Sequence, residues 1–169
     1  MQMLQTALTT VDSLTQQIKP LRAQLQTIGA HQPGVLALTQ HYGIGLLSGT
    51  IIWSELGDCR RFSSSDQAVR FAGLDVTVWS SDTKRSAGRL ARQGSPELRW
   101  ALFEAATSAA RQTSPDHDSY QAVRDRLGGK RPALSVARKL ARRCYHALRE
   151  LGDQAWSASI STSRQATAA

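Results

Sequence analysis

Long apolar runs are missing from this 169-residue chain. No stretch approaches the ~18 residues of a membrane span. The polar N-terminus, Met1 to Leu14, has no basic flank ahead of an apolar run, so no signal peptide is read there. Cysteine is scarce. Cys59 and Cys144 are too few for a disulfide scaffold and lack metal-ligand spacing, which sets aside a small secreted disulfide domain and a zinc finger. Acidic residues are also few, 13 Asp and Glu against 21 Lys and Arg, so the formal net charge is +8. What is present is a 41% hydrophobic content, enough for a core and against wholesale disorder. The expectation is a soluble, cytosolic, basic domain whose large partner is a polyanion.

The positive charge is unevenly placed. Arg supplies 17 of the basic residues and Lys only four, and Arg suits bidentate phosphate contact. Residues 1–32 hold only Lys19, Arg22 and Asp12. Lys84 to Arg99 contains five basic residues and one acid, Glu97. Lys130 to Arg149 contains seven basic residues and no acid.

The first segment reads as one long helix. Leu4, Leu8, Val11, Leu14, Ile18, Leu21, Leu25 and Ile28 are spaced by 4, 3, 3, 4, 3, 4 and 3, close to a coiled-coil seam. So narrow a stripe suits another helix better than a broad core, and it predicts homo-oligomerisation through residues 4–28. Pro20 removes one backbone hydrogen bond within it. His31-Gln32-Pro33-Gly34 marks the boundary. A short helix, the Gly43-Ile44-Gly45 turn and a helix from Leu46 to Leu56 come next, ended by Gly57. Ser63 to Asp66 resembles a capping box and opens a helix to Ala72. Leu74 to Trp79 reads as a short strand, and Ser80 to Gly94 as a loop or irregular hairpin. Ser95-Pro96 starts a helix that runs to about Arg111, and Trp53 and Trp100 are expected in the core. A short helix around Ser119 to Leu127 and a last one from Ala133 to Leu151 complete the pattern. In the last helix Leu134, Ala137, Leu140, Ala141, Cys144, Leu148 and Leu151 share one arc. Arg138, Lys139, Arg142, Arg143 and Arg149 share the other. The fold class is therefore mainly α: a coiled-coil linker helix at 1–32, a helical domain at 33–152 with a helix-hairpin-helix and a small β element, and a disordered tail at 153–169.

Three stretches can carry chemistry. Gly43-Ile44-Gly45 stands before a helix, where free amides and the dipole favour a phosphate; the plain alternative is an ordinary interhelical turn. The stretch from Trp79 to Gly94 sets two serines at a strand end ahead of Lys84, Arg85, Arg89 and Arg92. On the residues alone this is a phosphate-binding loop first and the seat of an activated serine second. The basic face of the last helix is the third. His31, His41, His117 and His146 share no metal or triad spacing, and the carboxylates Asp58, Asp66, Asp75 and Asp82 are scattered. Cys59 beside Arg60 and Arg61 invites a lowered thiol pKa, without a visible catalytic partner.

The order of these motifs resembles the C-terminal half of transposases of the insertion-sequence one-hundred-ten, one-hundred-sixteen and nine-hundred-two type, the transposase-20 domain. The resemblance runs from Leu4 to Leu151. It rests on Gly43-Ile44-Gly45, Glu55-Leu56-Gly57-Asp58, Arg61-Phe62-Ser63, Gly73-Leu74 and Ser81-Asp82. It continues through Lys84-Arg85, Gly88-Arg89, Arg92, Gly94-Ser95, Leu98-Arg99, Gly129-Lys130 and Arg138-Lys139-Leu140. Asp82 stands where the family has Gly, Val76 where it has Pro, and Ser95 where it has Asn.

The resemblance implies a DNA recombination enzyme, in some members guided by a structured RNA, acting at the nucleoid. It implies a serine nucleophile at Ser81, with Ser80 as the register alternative. It also implies an RNase-H-like half with four metal-binding acids that precedes this region, so magnesium is expected there and no cofactor in this chain. Nucleic-acid contacts are expected from Gly43, Gly45, Lys84, Arg85, Arg89, Arg92, Arg99, Lys130, Arg131, Arg138, Lys139, Arg142 and Arg143. The competing readings are a non-catalytic nucleic-acid-binding remnant and a helical protein-interaction module.

Overall fold

The computed structural model describes residues 1–77, 80–81, 84–85, 89–90 and 93–156, with only the backbone of strand residues 76–77, 80–81, 84–85 and 89. The expected tail at 157–169 lies outside the described residues, as do Asp82 and Arg92.

Helix α1 (Gln2–Ala30) carries Pro20 in its interior and buries only Gly29. All eight residues of its apolar seam are exposed, from 42% at Leu25 to 64% at Leu4. Its last turn rests on α3 (Leu46–Leu56), where a Cβ on Gly29 would stand 2.0 Å from Thr50 Oγ1. Helix α2 (Pro33–Thr39) begins with Pro at its first position and is joined to α3 through the Gly43–Gly45 turn. Gly57, at φ +57°, ends α3 in the left-handed conformation that glycine accepts most easily.

Helix α4 (Ser65–Phe71) is capped one residue later than the sequence suggested. Ser64, rather than Ser63, accepts the Gln67 N–H at 3.3 Å, and Gln67 Oε1 accepts the Ser63 N–H at 2.6 Å. Gln67, and not Asp66, is the side chain that reaches back, and it meets Ser63, one residue before the cap, rather than the N-cap N–H of a capping box. The β element consists of two separate two-residue ladders. Strand β1 (Val76–Thr77) pairs antiparallel with β4 (Arg89–Leu90), and β2 (Ser80–Ser81) pairs antiparallel with β3 (Lys84–Arg85).

Helix α5 (Pro96–Thr107) starts where Ser95 Oγ accepts the Leu98 N–H at 3.1 Å. It passes into a 3-10 turn at Ser108–Ala110, so the expected helical stretch to about Arg111 tightens over its last turn. Helix α6 spans His117–Leu127, and α7 spans Arg131–Leu151. Helix α7 is the hub and packs on α2, α3, α4, α5 and α6. Its arc of Val136, Ala137, Leu140, Ala141, Cys144 and Leu148 meets Leu98, Ala101, Leu102 and Ala105 of α5, with Leu38, Ile52, Leu56 and Leu74 closing the core. Alanines at the facing positions bring helix backbones close together.

Two expectations need correction. Trp100 is 48% exposed rather than buried, because Leu98, Ala101, Leu102 and Ala105 take the core arc of α5 and Trp100 projects from the other side. The packed domain does not stop at 152. Residues Gly152–Trp156 form a 3-10 turn with Ala155 buried. There the Trp53 indole N–H donates to the Ala155 carbonyl at 2.9 Å, and the Trp53 and Trp156 rings lie 4.4 Å apart. Arg60 adds an ion pair to Asp153 at 2.6 Å. Composition marks 153–156 as tail. One tryptophan that finds another overrides it, through apolar area and a satisfied indole.

Candidate nucleic-acid interface

The serine-bearing segment is a hairpin whose register is explicit. Ser81 stands opposite Lys84 and Ser80 opposite Arg85. Both candidate serines are therefore set against a basic residue by the backbone ladder. Arg89 lies in β4, opposite Thr77. Arg92, the remaining cation expected here, lies outside the described residues.

The stem of this element is clamped from three sides. Arg138 of α7 donates from Nε to the Leu74 carbonyl at 2.6 Å. Arg99 of α5 donates from a terminal amine to the Ala72 carbonyl at 3.4 Å. Gly94, at φ +130°, closes against the same stretch, and a Cβ there would stand 2.0 Å from the Phe71 carbonyl oxygen. Arg99 and Arg138, both expected at phosphates, thus cap backbone carbonyls at the root of the hairpin. Their remaining N–H groups can still donate outward, since a guanidinium carries five.

The other cations of α7 also have intramolecular partners. Arg143 grips Asp116 through two contacts, at 2.5 and 3.0 Å. Asp116 is only 5% exposed. Lys139 donates to Ser119 Oγ at 2.7 Å and lies 3.7 Å from Asp116 Oδ1. Arg142 pairs with Asp66 at 2.9 Å, and Arg149 donates to the Phe62 carbonyl at 2.8 Å and to the Tyr145 hydroxyl. Hydrogen bonding from Arg143 holds the Asp116 carboxyl below the ordinary range, and the same bond raises Arg143. Burial, with Arg142 close by, lowers Arg138. A helical wheel shows where these charges point, but not the acids that other elements bring to them. Arg131 donates to the Leu127 carbonyl at 3.1 Å.

The glycine turn divides in two. Gly43, at φ +89°, presses on the end of α5, where a Cβ would meet Ser108 Oγ at 2.1 Å and the Ala105 carbonyl oxygen at 2.4 Å. Tyr42 adds a hydrogen bond between its hydroxyl and Thr113 Oγ1 at 2.6 Å, beyond the 3-10 turn that follows α5. Gly45, by contrast, is open: a Cβ there would have nothing within 4 Å, and the residue caps α3 through Ser48.

Neither thiol is activated. Burial pushes Cys59 up to about 11 and Cys144 up to about 12, and at Cys59 it outweighs the downward pull of Arg61. His41 is held below its usual value by burial and by the charge of Arg143. Among the described residues no three His, Cys, Asp or Glu side chains gather where they could hold a metal ion. No described helix is long and apolar enough to cross a membrane.

The sequence model of the family described as "Transposase IS116/IS110/IS902 family" matches residues 36–121, just over half of the chain. The matched stretch opens in α2 and ends in α6, so it includes the glycine turn and both ladders. No curated protein matches the chain.

Proposed function

The chain belongs to the IS116/IS110/IS902 transposase family, and on that premise we propose that it acts as the serine-bearing, DNA-binding domain of an insertion-sequence transposase at the bacterial nucleoid. The observation that carries the reading is the β2–β3 register, which sets Ser81 against Lys84 on a hairpin with a clamped stem. In this reading the Ser81 oxygen attacks a DNA phosphorus, a serine–phosphate bond forms and a phosphate–deoxyribose bond breaks. The hydroxyl proton passes to a base, and the departing deoxyribose oxygen takes up a proton. Lys84, Arg85, Arg89 and Arg92 neutralise the charge that builds on the phosphate oxygens. Ser80 is the register alternative. A structured RNA that guides target choice would meet the same basic surface. Magnesium chemistry belongs to the RNase-H-like half that the resemblance implies.

Exposure of all eight seam residues of α1 supports self-association through residues 4–28. A 29-residue helix with only Gly29 buried gains little from its own domain, whereas pairing seam to seam removes that apolar area from water. Ile18→Asn with Leu21→Asn should shift the sedimentation mass to the monomer, whereas an unchanged mass removes the seam from the interface.

A nicked suicide DNA substrate, with magnesium and a family RNase-H-like domain supplied in trans, tests the nucleophile. The wild type should trap a covalent protein–DNA adduct that Ser81→Ala abolishes and Ser80→Ala retains. An adduct that survives Ser81→Ala overturns the assignment. Binding without any adduct indicates a non-catalytic nucleic-acid module instead.

A further inference from the structure

Beside the β1–β4 ladder lies a groove of about 330 Å³ between β4, α6 and the first turns of α7. Leu90, Leu127 and Leu134 give it an apolar wall, and Arg126, Arg131 and Arg138 bring three guanidinium groups to it. Among the described residues no carboxylate lines it. Leu127, the last residue of α6, is 44% exposed. Arg131 and Arg138 each spend one N–H on a backbone carbonyl, while Arg126 has no partner among the described residues. The groove shares β4 with the element that carries Ser80 and Ser81.

Resting on the transposase reading above, we propose that this groove holds one unpaired nucleotide of the DNA strand that runs to the serine hairpin, its phosphate on Arg126 and Arg131 and its base against Leu127 and Leu134. The volume selects this occupant. It sits at the low end of small-molecule sites, ~300–1,000 Å³, and cannot admit a duplex. The charge selects an anion, since three guanidinium groups line the groove. The leucine wall distinguishes a nucleotide from inorganic phosphate, because a base offers an apolar face that bare phosphate lacks. A nucleotide held in the groove would bring the strand onto β4, the last strand of the β element that carries the serines.

The full-length protein is titrated against a fluorescent single-stranded DNA oligonucleotide containing 2-aminopurine, the matching duplex and an RNA of the same sequence. Arg126→Gln and Leu127→Ser change exposed side chains, so both variants should melt with the wild type. Arg126→Gln should weaken single-stranded DNA binding by about tenfold and reduce the log–log salt slope by about 0.7, the contribution of one phosphate on a single strand. Leu127→Ser should abolish the 2-aminopurine signal of the bound strand while duplex binding stays within twofold. Single-stranded DNA affinities within twofold of wild type for both variants overturn the groove and leave the transposase reading intact. RNA bound more tightly than DNA overturns the choice of DNA. A wild type that binds no nucleic acid at low salt overturns both readings together.

Discussion

Arg138 of α7 donates its Nε–H to the carbonyl of Leu74, 64 residues earlier in the chain, at 2.6 Å. Leu74 is fully buried and stands two residues before β1, so this bond ties the root of the serine-bearing element to the central helix. Replacement by methionine keeps most of the apolar stem but leaves the carbonyl without its donor. The expected cost is about 1–3 kcal/mol. Faster amide exchange should appear at residues 74–77, with little change in α3. Lysine should not restore protection, since an ammonium cannot reproduce the planar donor geometry.

Arg143 and Asp116 make the domain acid-sensitive. The folded carboxyl is held below its ordinary value of 3.8, chiefly by the Arg143 hydrogen bond, so the unfolded chain binds that proton at higher pH than the folded one. The pair's contribution is complete above the ordinary carboxylate range and is lost as the pH falls through the folded value. Urea midpoints measured from pH 6 down to pH 2 should fall less steeply in Asp116→Asn than in the wild type. Arg143→Ala leaves the buried Asp116 carboxylate with only the longer Lys139 contact and should cost about 3 kcal/mol at pH 7. A loss under 0.5 kcal/mol there, measured by the same unfolding curves, would refute the structural role of this cation.

The two glycines of the α2–α3 turn should part company. Gly43→Ala combines a left-handed φ with contact against the Ala105 backbone oxygen, which cannot move aside, and should destabilise by roughly 1–3 kcal/mol. Gly45→Ala meets no atom within 4 Å and should stay within about 1 kcal/mol, the scale of an N-cap change. Paired melting and DNA-binding curves separate the roles. Loss of affinity in Gly45→Ala at unchanged stability places the turn at the nucleic acid, whereas equal affinity confines the pair to packing.

Several elements were legible from local pattern because their physics is local. The 3-and-4 spacing marked α1, Ser95-Pro96 marked the start of α5, and the glycine turn set the break between α2 and α3. Leu46–Leu56 agrees with expectation at both ends, since a glycine stands on either side of it. The cap fell at Ser64, one position later than expected, because three consecutive serines stand there and the Gln67 N–H meets the hydroxyl of the middle one. Of the candidate site, the basic residue types and the serine pair were visible in the chain. Arg126 was not singled out, although its lack of any acidic neighbour at i±4 on α6 was a signal within reach.

The sequence by itself determined a mainly helical basic chain, the amphipathic arcs of its helices and its family, because hydrophobic period, caps and turn residues act over a few positions. Only the tertiary structure decided which cations are committed. Asp116, Asp66 and the carbonyls of Leu74 and Phe62 reach α7 from 27 to 87 residues away, and they convert an apparent basic face into a set of internal ties. A charge is free or committed according to what packs against it, and no periodicity within one helix carries that information.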